Sequence, residues 1–253
     1  MPIYFIQSES IHNNQIILTG DLAHHLRDVL RSETGETIEL VDEKQARYRT
    51  ELTQVTKHKI VANILQKDEK PPPSGPSIFL AQAVLKGDKM DWVVQKATEL
   101  GVTAIFPVVT ERTIARPRTE REAHQIGRWR KIAKEASQQC GRSDIPMVRT
   151  VVSLDALLKN PPDVSLKLIP WEQEQKPSLK VVLAEPNLHC PAGQWNNSMI
   201  VLIGPEGGLT PSEVEKARET GWISVSLGPR ILRAETAGLA VLAILQYELE
   251  TRR

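Results

Sequence analysis

Two glycine-bearing segments carry the side chains with chemical potential in this chain. Gly204-Pro205-Glu206-Gly207-Gly208 follows the apolar run Met199-Ile200-Val201-Leu202-Ile203, and Gly228-Pro229-Arg230-Ile231-Leu232-Arg233-Ala234-Glu235-Thr236-Ala237 follows Ile223 to Leu227. Each reads as a loop leaving the end of a strand, and in an open α/β sheet such ends are where ligands sit. Glycine there permits positive φ or close approach of backbone to ligand. Gly207 is the position expected to admit no β-branched side chain. The same segments offer two carboxylates, Glu206 and Glu235, and two guanidinium groups, Arg230 and Arg233. They match neither the dinucleotide order G-x-G-x-x-G nor the phosphate-binding order G-x-x-x-x-G-K-[ST]. Spacing alone says that a small ligand is to be held by backbone between two loops.

The rest of the chain must position those loops. With 253 residues it is long enough for one large or two small domains with a real core. The formal net charge is only +1, so bulk charge does not announce nucleic acid and the distribution has to be read instead. Two distant cysteines, Cys140 and Cys190, make neither a disulfide framework nor a zinc site. The first residues lack a signal-peptide pattern and no run reaches eighteen apolar residues, so a cytoplasmic protein is expected.

Residues 1–70 read as a compact β-barrel. Ile3 to Ile6, Ile16 to Leu18, Thr37 to Val41, Arg47 to Val55 and Lys59 to Leu65 are strands, and Asp21 to Leu30 is a short helix with Leu22, Leu26, Val29 and Leu30 inward. Lys70-Pro71-Pro72-Pro73-Ser74-Gly75-Pro76 is an extended linker, with residues 71–76 as the boundary. Adjacent His24 and His25 point in different directions from a helix, which favours a bland reading over a metal site. With Arg27 and Arg31 they alternatively form a phosphate-facing edge.

Residues 77–253 read as an α/β layer. Ser77 to Val84 and Val102 to Val109 are strands around a helix that begins with a capping-box-like Asp88/Asp91 pair. Further strands are expected at Leu166 to Ile169 and Lys180 to Ala184. Thr210-Pro211-Ser212-Glu213 is a strong helix start, and the last helix runs from Ala234 to Leu249. Between Arg112 and Arg142 nine arginines and lysines oppose three glutamates, a local excess of +6. An ordinary solvated helix explains such a run as readily as a phosphate-binding face, although arginine suits planar phosphate geometry. Ile126, Trp129, Ala133, Ala136 and Cys140 share a face of that helix, so Trp129 and Cys140 are expected in the core.

The chain resembles a known family in several ordered blocks. Gly204 to Thr210 and Leu227 to Ala237 look like the C-terminal signature of the bacterial 16S ribosomal RNA uridine N3-methyltransferases, within the trefoil-knotted superfamily. The likeness continues in His24 to Arg31, Lys86-Gly87-Asp88-Lys89-Met90, Gln95 to Val102, Glu111-Arg112 and Glu135 to Arg142. One departure is Ile3, where the family usually carries an arginine. The resemblance implies a PUA-like RNA-binding barrel followed by an α/β-knot methyltransferase domain, arranged as a homodimer that uses Val241 to Leu249 and the Gly87–Leu100 side.

The cofactor so implied is S-adenosyl-L-methionine. It would be held by Leu183, Leu202, Gly204, Pro205, Gly207, Gly208, Leu227, Gly228, Ile231, Leu232, Arg233, Thr236 and Ala237. The substrate would be 16S ribosomal RNA, free or in the assembled small subunit, met by His25, Arg27, Arg31, Arg112, Arg118, Arg121, Arg128, Arg130 and Arg142. Deprotonating uridine N3 at neutral pH costs about 3 kcal/mol, and Arg233, with Arg230 in reserve, would stabilise the developing anion. Glu206 or Glu235 would orient that arginine, with Glu206 also a candidate base. Glu235 has an equally good reading as a helix N-terminal carboxylate. Two rivals to a methyltransferase stay open on these residues: a non-catalytic RNA-binding factor for subunit assembly, and an enzyme acting on a small nucleotide.

Overall fold

The computed structural model describes residues 2–69, 77–115, 119–184 and 198–250, without the side chains of 119, 120, 249 and 250. The chain forms two compact units. The first comprises residues 1–74 together with 135–145, and the second residues 75–134 and 146–253.

In the first unit a six-stranded sheet runs in the order β1-β4-β5-β6-β3-β2, built from β1 (Ile3–Phe5), β2 (Ile11–His12), β3 (Gln15–Leu18), β4 (Thr37–Val41), β5 (Arg47–Val55) and β6 (Ile60–Asp68). All pairings are antiparallel except β1 with β4. Ile16, Leu26, Leu40, Leu52 and Ile60 are fully buried at its centre, as is Ile3 on the strand β1. The short helix α1 (Gly20–His24) widens into a π-type turn over His25–Val29. That widening breaks the 3.6-residue phase, so Val29 and Leu30 face solvent and only Leu26 of the expected apolar face is fully inside. Arg47 of β5 donates to the carbonyl of Gly141 at 2.7 Å and to Ser143 Oγ at 3.1 Å, which holds residues 135–145 in this unit.

The second unit is a parallel sheet in the order β10-β8-β7-β12-β11-β13, with β9 beside β8. Its elements are β7 (Ser77–Ala83), α2 (Lys89–Glu99), β8 (Ala104–Val109), α3 (Thr119–Cys140), β9 (Met147–Val148), β10 (Val152–Ser153), α4 (Leu154–Lys159), β11 (Leu166–Pro170), α5 (Leu179–Ala184), β12 (Ser198–Ile203), α6 (Pro211–Glu219), β13 (Ile223–Val225) and α7 (Ala234–Glu250). All six residues of β12 are buried, because helices cover both sheet faces. Met199, Val201 and Ile203 join the core beneath α2, α3 and α7, while Ile200 and Leu202 join the one beneath α4 and α6.

Four sequence expectations are corrected here. Lys180 to Ala184 is helical rather than extended: Leu179, Val182 and Leu183 are buried at helical spacing while Val181 is exposed, and so short an apolar run does not distinguish the two periods. Asp88 makes no side-chain cap on α2; Asp91 instead accepts from Trp129 Nε1 at 3.1 Å and pairs with Arg128. Trp129 is buried as expected, but Cys140 is exposed. The buried face of α3 runs through Ile126, Trp129, Ala133, Ala136 and Ser137, and Cys140 in the last turn lies beyond it. Part of the Val241 to Leu249 stretch expected to serve a homodimer is used inside the chain: α7 packs on α2, and Val241, Leu242 and Leu245 are buried there. The capping box at Thr210 and Glu213 forms as read. The linker 71–76 and Cys190 lie outside the described residues, as do the side chains of Thr119 and Leu249.

Candidate active site

Because the sheet is parallel, β12, β11 and β13 deliver their C-terminal ends to one edge. The segments leaving them bound a cavity of about 570 Å³, a size typical of small-molecule sites. Its lining unites Pro170 to Glu172, Ile203 to Leu209, Ser226 to Glu235, Ala237 and, from α2, Lys89.

Ten residues expected at the cofactor site line this cavity: Gly204, Pro205, Gly207, Gly208, Leu227, Gly228, Ile231, Leu232, Arg233 and Ala237. Leu183, Leu202 and Thr236 do not. Leu183 is buried in α5, Leu202 points into the core beneath α6, and Thr236 is exposed on α7.

The first loop is fixed by its glycines and by contacts from three neighbouring segments. A Cβ on Gly204 would stand 3.1 Å from the Leu209 amide nitrogen and 3.2 Å from the Gly208 carbonyl carbon, tighter than ordinary contact with the loop's own backbone. Gly208 adopts φ +69°, and a Cβ there would meet the Glu172 carboxylate at 2.3 Å. Gly207, by contrast, has ordinary φ, and its Cβ would make van der Waals contact with Arg112. The steric demand expected at Gly207 therefore falls on its neighbours. Arg112 Nη1 donates to the Gly207 carbonyl at 2.8 Å, Trp171 Nε1 donates to the Leu209 carbonyl at 3.3 Å, and the Lys86 amide donates to Glu206 Oε1 at 3.0 Å. Behind Trp171, Arg218 lies over the indole and pairs with Glu174 at 2.6 Å. Burial pushes the Glu174 carboxyl up, but Ser224, the Lys176 amide and Arg218 together hold it below its ordinary value.

Lys89, quoted in a sequence block but given no role there, sits between the two carboxylates. Its Nζ lies 3.2 Å from Glu235 Oε1 and 3.9 Å from Glu206 Oε1. Burial raises the Glu235 pKa, yet its own backbone amide and Lys89, with a lesser contribution from Arg233, bring it below the ordinary value. The expectation that Glu206 or Glu235 orients an arginine is thus corrected: the nearer ammonium of Lys89 takes both, and neither carboxylate hydrogen-bonds Arg230 or Arg233. Those arginines stand exposed on the second loop, with Ile231 between them 80% exposed.

The residues expected to meet RNA are dispersed. His25 is exposed in the first unit with its ring 6.4 Å from that of Tyr4, and Arg31 is exposed with φ 57°. Arg27 is half-buried, donating to the Thr56 carbonyl and engaging Asp28. On α3, Arg121 is exposed, Arg128 pairs with Asp91, and Arg130 donates to the Val148 carbonyl at 3.1 Å. Arg142 pairs with Asp144 at 2.6 Å, Arg112 is engaged with the Gly207 carbonyl, and Arg118 lies outside the described residues. Among the described residues no group of His, Cys, Asp and Glu is arranged to hold a metal, and no helix is long and apolar enough to cross a membrane.

A model of the RNA methyltransferase domain matches residues 72–246, and one of the RNA methyltransferase PUA domain matches residues 18–65. Together they define the class, an RNA methyltransferase domain joined to a PUA-like barrel, as the fold expectation had it. Ribosomal RNA small subunit methyltransferase E of Bacillus subtilis is 32% identical over 93% of this chain and 91% of its own length. The Neisseria gonorrhoeae ribosomal RNA small subunit methyltransferase E, solved bound to S-adenosyl methionine, superposes with TM-score 0.80 at 34% identity, covering 98% of this chain and 97% of that one. A putative methyltransferase of Legionella pneumophila, solved with bound SAM, gives TM-score 0.82 at 31% identity over 97% and 96%. The chain belongs to the ribosomal RNA small subunit methyltransferase E family.

Proposed function

We propose that this protein transfers the methyl group of S-adenosyl-L-methionine to N3 of a uridine in 16S ribosomal RNA. The observation that carries this reading is the two-loop cavity at the sheet edge. Its first loop is folded tightly on itself at Gly204 and against Glu172 at Gly208, and the cofactor-bound relatives share the fold at 31–34% identity. Gly204 to Gly208 and Leu227 to Leu232 would hold the cofactor, which when bound supplies an electrophilic methyl group. Arg233 is exposed at the cavity lining, and its planar donors would meet uracil oxygens as charge develops on the ring. Glu206, held by the Lys86 amide and facing Lys89, shapes the wall and remains the candidate base. The product would be read by mass spectrometry of small-subunit RNA incubated with protein and cofactor: a methyl group on uridine N3 is expected, and a methyl elsewhere overturns the position.

RNA affinity is assigned to both units, with Arg121 the α3 arginine best placed to contact phosphate, since Arg128 and Arg130 are engaged internally. Reversing charge at Arg118 and Arg121 together should weaken binding to all sequences and flatten its salt dependence, while cofactor affinity stays put. The homodimer is assigned to the outer face of the α2/α7 pair, where Trp92, Ile244 and Tyr247 are exposed. An interface above about 1,000 Å² is expected there, and sedimentation as a monomer at micromolar concentration would count against it.

A further inference from the structure

Lys89 is the first residue of α2, and its side chain leaves the helix toward the cavity. There the ammonium meets two carboxylates from segments 29 residues apart in sequence: Glu206 within the first loop and Glu235 immediately after the second. Side-chain exposures of 37% for Lys89, 28% for Glu206 and 15% for Glu235 place the trio at the boundary between protein and cavity. The oxygen of Glu206 nearest to Lys89 is also the one that accepts the Lys86 amide, so the α2 start grips the first loop twice.

A lysine in this position has a task that the arginines of the second loop lack. Two carboxylates converging on one partly desolvated space repel each other, and a cation between them converts that repulsion into attraction. The gain is modest for a pair in water but grows with desolvation, and removing the cation leaves the largely buried Glu235 with only its own backbone amide and the lesser influence of Arg233. The geometry points to Lys89 as a positioning residue, a latch whose ammonium ties the Glu206 loop to the start of α7 and so keeps the two walls of the cavity at their binding distance. This rests on reading the cavity as the S-adenosylmethionine pocket. Lys89 acts through the loops, not on the reacting atoms.

The test uses the full chain and two readouts, one of which needs no cofactor. Hydrogen exchange of the amides at 204–209 and 228–233 in the cofactor-free protein should accelerate in Lys89→Met and return toward wild type in Lys89→Arg, which keeps the charge. Titration with S-adenosylmethionine should show affinity about tenfold weaker in Lys89→Met, the scale of a partly desolvated pair, with Lys89→Arg close to wild type. In a Glu235→Gln background the same lysine change should cost distinctly less, because the charge it neutralises is gone. Unchanged loop exchange in Lys89→Met overturns the latch, as does a lysine effect of equal size with and without Glu235. If Lys89→Met lowers RNA turnover alone and leaves cofactor affinity intact, the residue works on substrate and the latch is wrong. If wild-type protein fails to bind S-adenosylmethionine while loop exchange still responds to Lys89, the reading of the cavity falls and the latch stands. Should Lys89→Met fail to fold, Lys89→Arg and Glu235→Gln carry the same comparison.

Discussion

The two loops that bound the cavity are built on opposite terms. The Gly204–Leu209 loop is held from outside at nearly every residue: Lys86 and Lys89 hold Glu206, Arg112 holds Gly207, Glu172 covers Gly208 and Trp171 holds Leu209. It then enters α6 through a complete capping box. The loop from Gly228 to Arg233 keeps Gly228 to Ile231 and Arg233 exposed, and among the described residues no carboxylate hydrogen-bonds its guanidinium groups. A wall fixed before the ligand arrives loses little freedom on binding, whereas an exposed one can adapt to a partner that arrives later. On the proposed reading, in which both loops hold the cofactor, the first would be a preset wall, while the second, with exposed Arg233, would be the wall left to adapt as the nucleoside arrives.

The hardest blow to that comparison is a Cβ where the fixed loop cannot take one. Gly204→Val should abolish cofactor binding, because the new side chain would collide with the amide of Leu209 and the carbonyl carbon of Gly208. Gly207→Ala should be nearly silent, since its Cβ would only touch Arg112. Calorimetric titration of both variants checks this, and equal losses would show that the loop is not preset in the way described.

On the adaptable side, Arg233→Ala should lower turnover about 10²-fold, roughly 2.7 kcal/mol, with cofactor affinity little changed. Arg233→Lys should rescue only partly, since an ammonium lacks the planar pair of donors. Raising the pH should restore some activity to the alanine variant, because more uridine is already deprotonated. Single-turnover methylation at several pH values, with cofactor affinities in parallel, decides it. Loss of cofactor binding in step with activity would move Arg233 into the fixed seat.

The same contrast explains what could be read in the sequence. Both loops were visible because glycines at strand ends mark close backbone approach, and the strands were visible as apolar runs buried on two faces. Invisible were the tertiary ties. Nothing local in Arg112 distinguishes a side chain that holds the Gly207 carbonyl from one that meets phosphate, and Lys89 is in sequence merely a polar residue opening a helix. Asp91 looked like half of a cap until Trp129 and Arg128 claimed it. Val181 and Leu183 read as strand because five residues do not fix a period, and burial on a helical face decided otherwise. Charge-bearing side chains choose partners across the fold, whereas glycine and apolar spacing are constraints a residue carries with it.

The smallest expected effect lies where the loops meet, at Glu235. Its carboxyl sits below the ordinary value of 4.5, held there against burial by its backbone amide and by Lys89. Because the folded protein favours the ionised form, this group's contribution to stability is fully present above the ordinary value and is lost as pH falls through the depressed folded value. From neutral pH down to about that ordinary value, thermal stability should therefore lose nothing on account of Glu235, and below it the contribution should fade. The amount should stay within about 1 kcal/mol, the range of an ion pair with a partly exposed partner. Thermal denaturation of wild type and Glu235→Gln across acid pH isolates the term: the two curves should be offset at neutral pH and converge in acid. Curves that stay parallel down to the lowest pH at which the protein folds would show that Glu235 contributes no charge-dependent hold on the pocket.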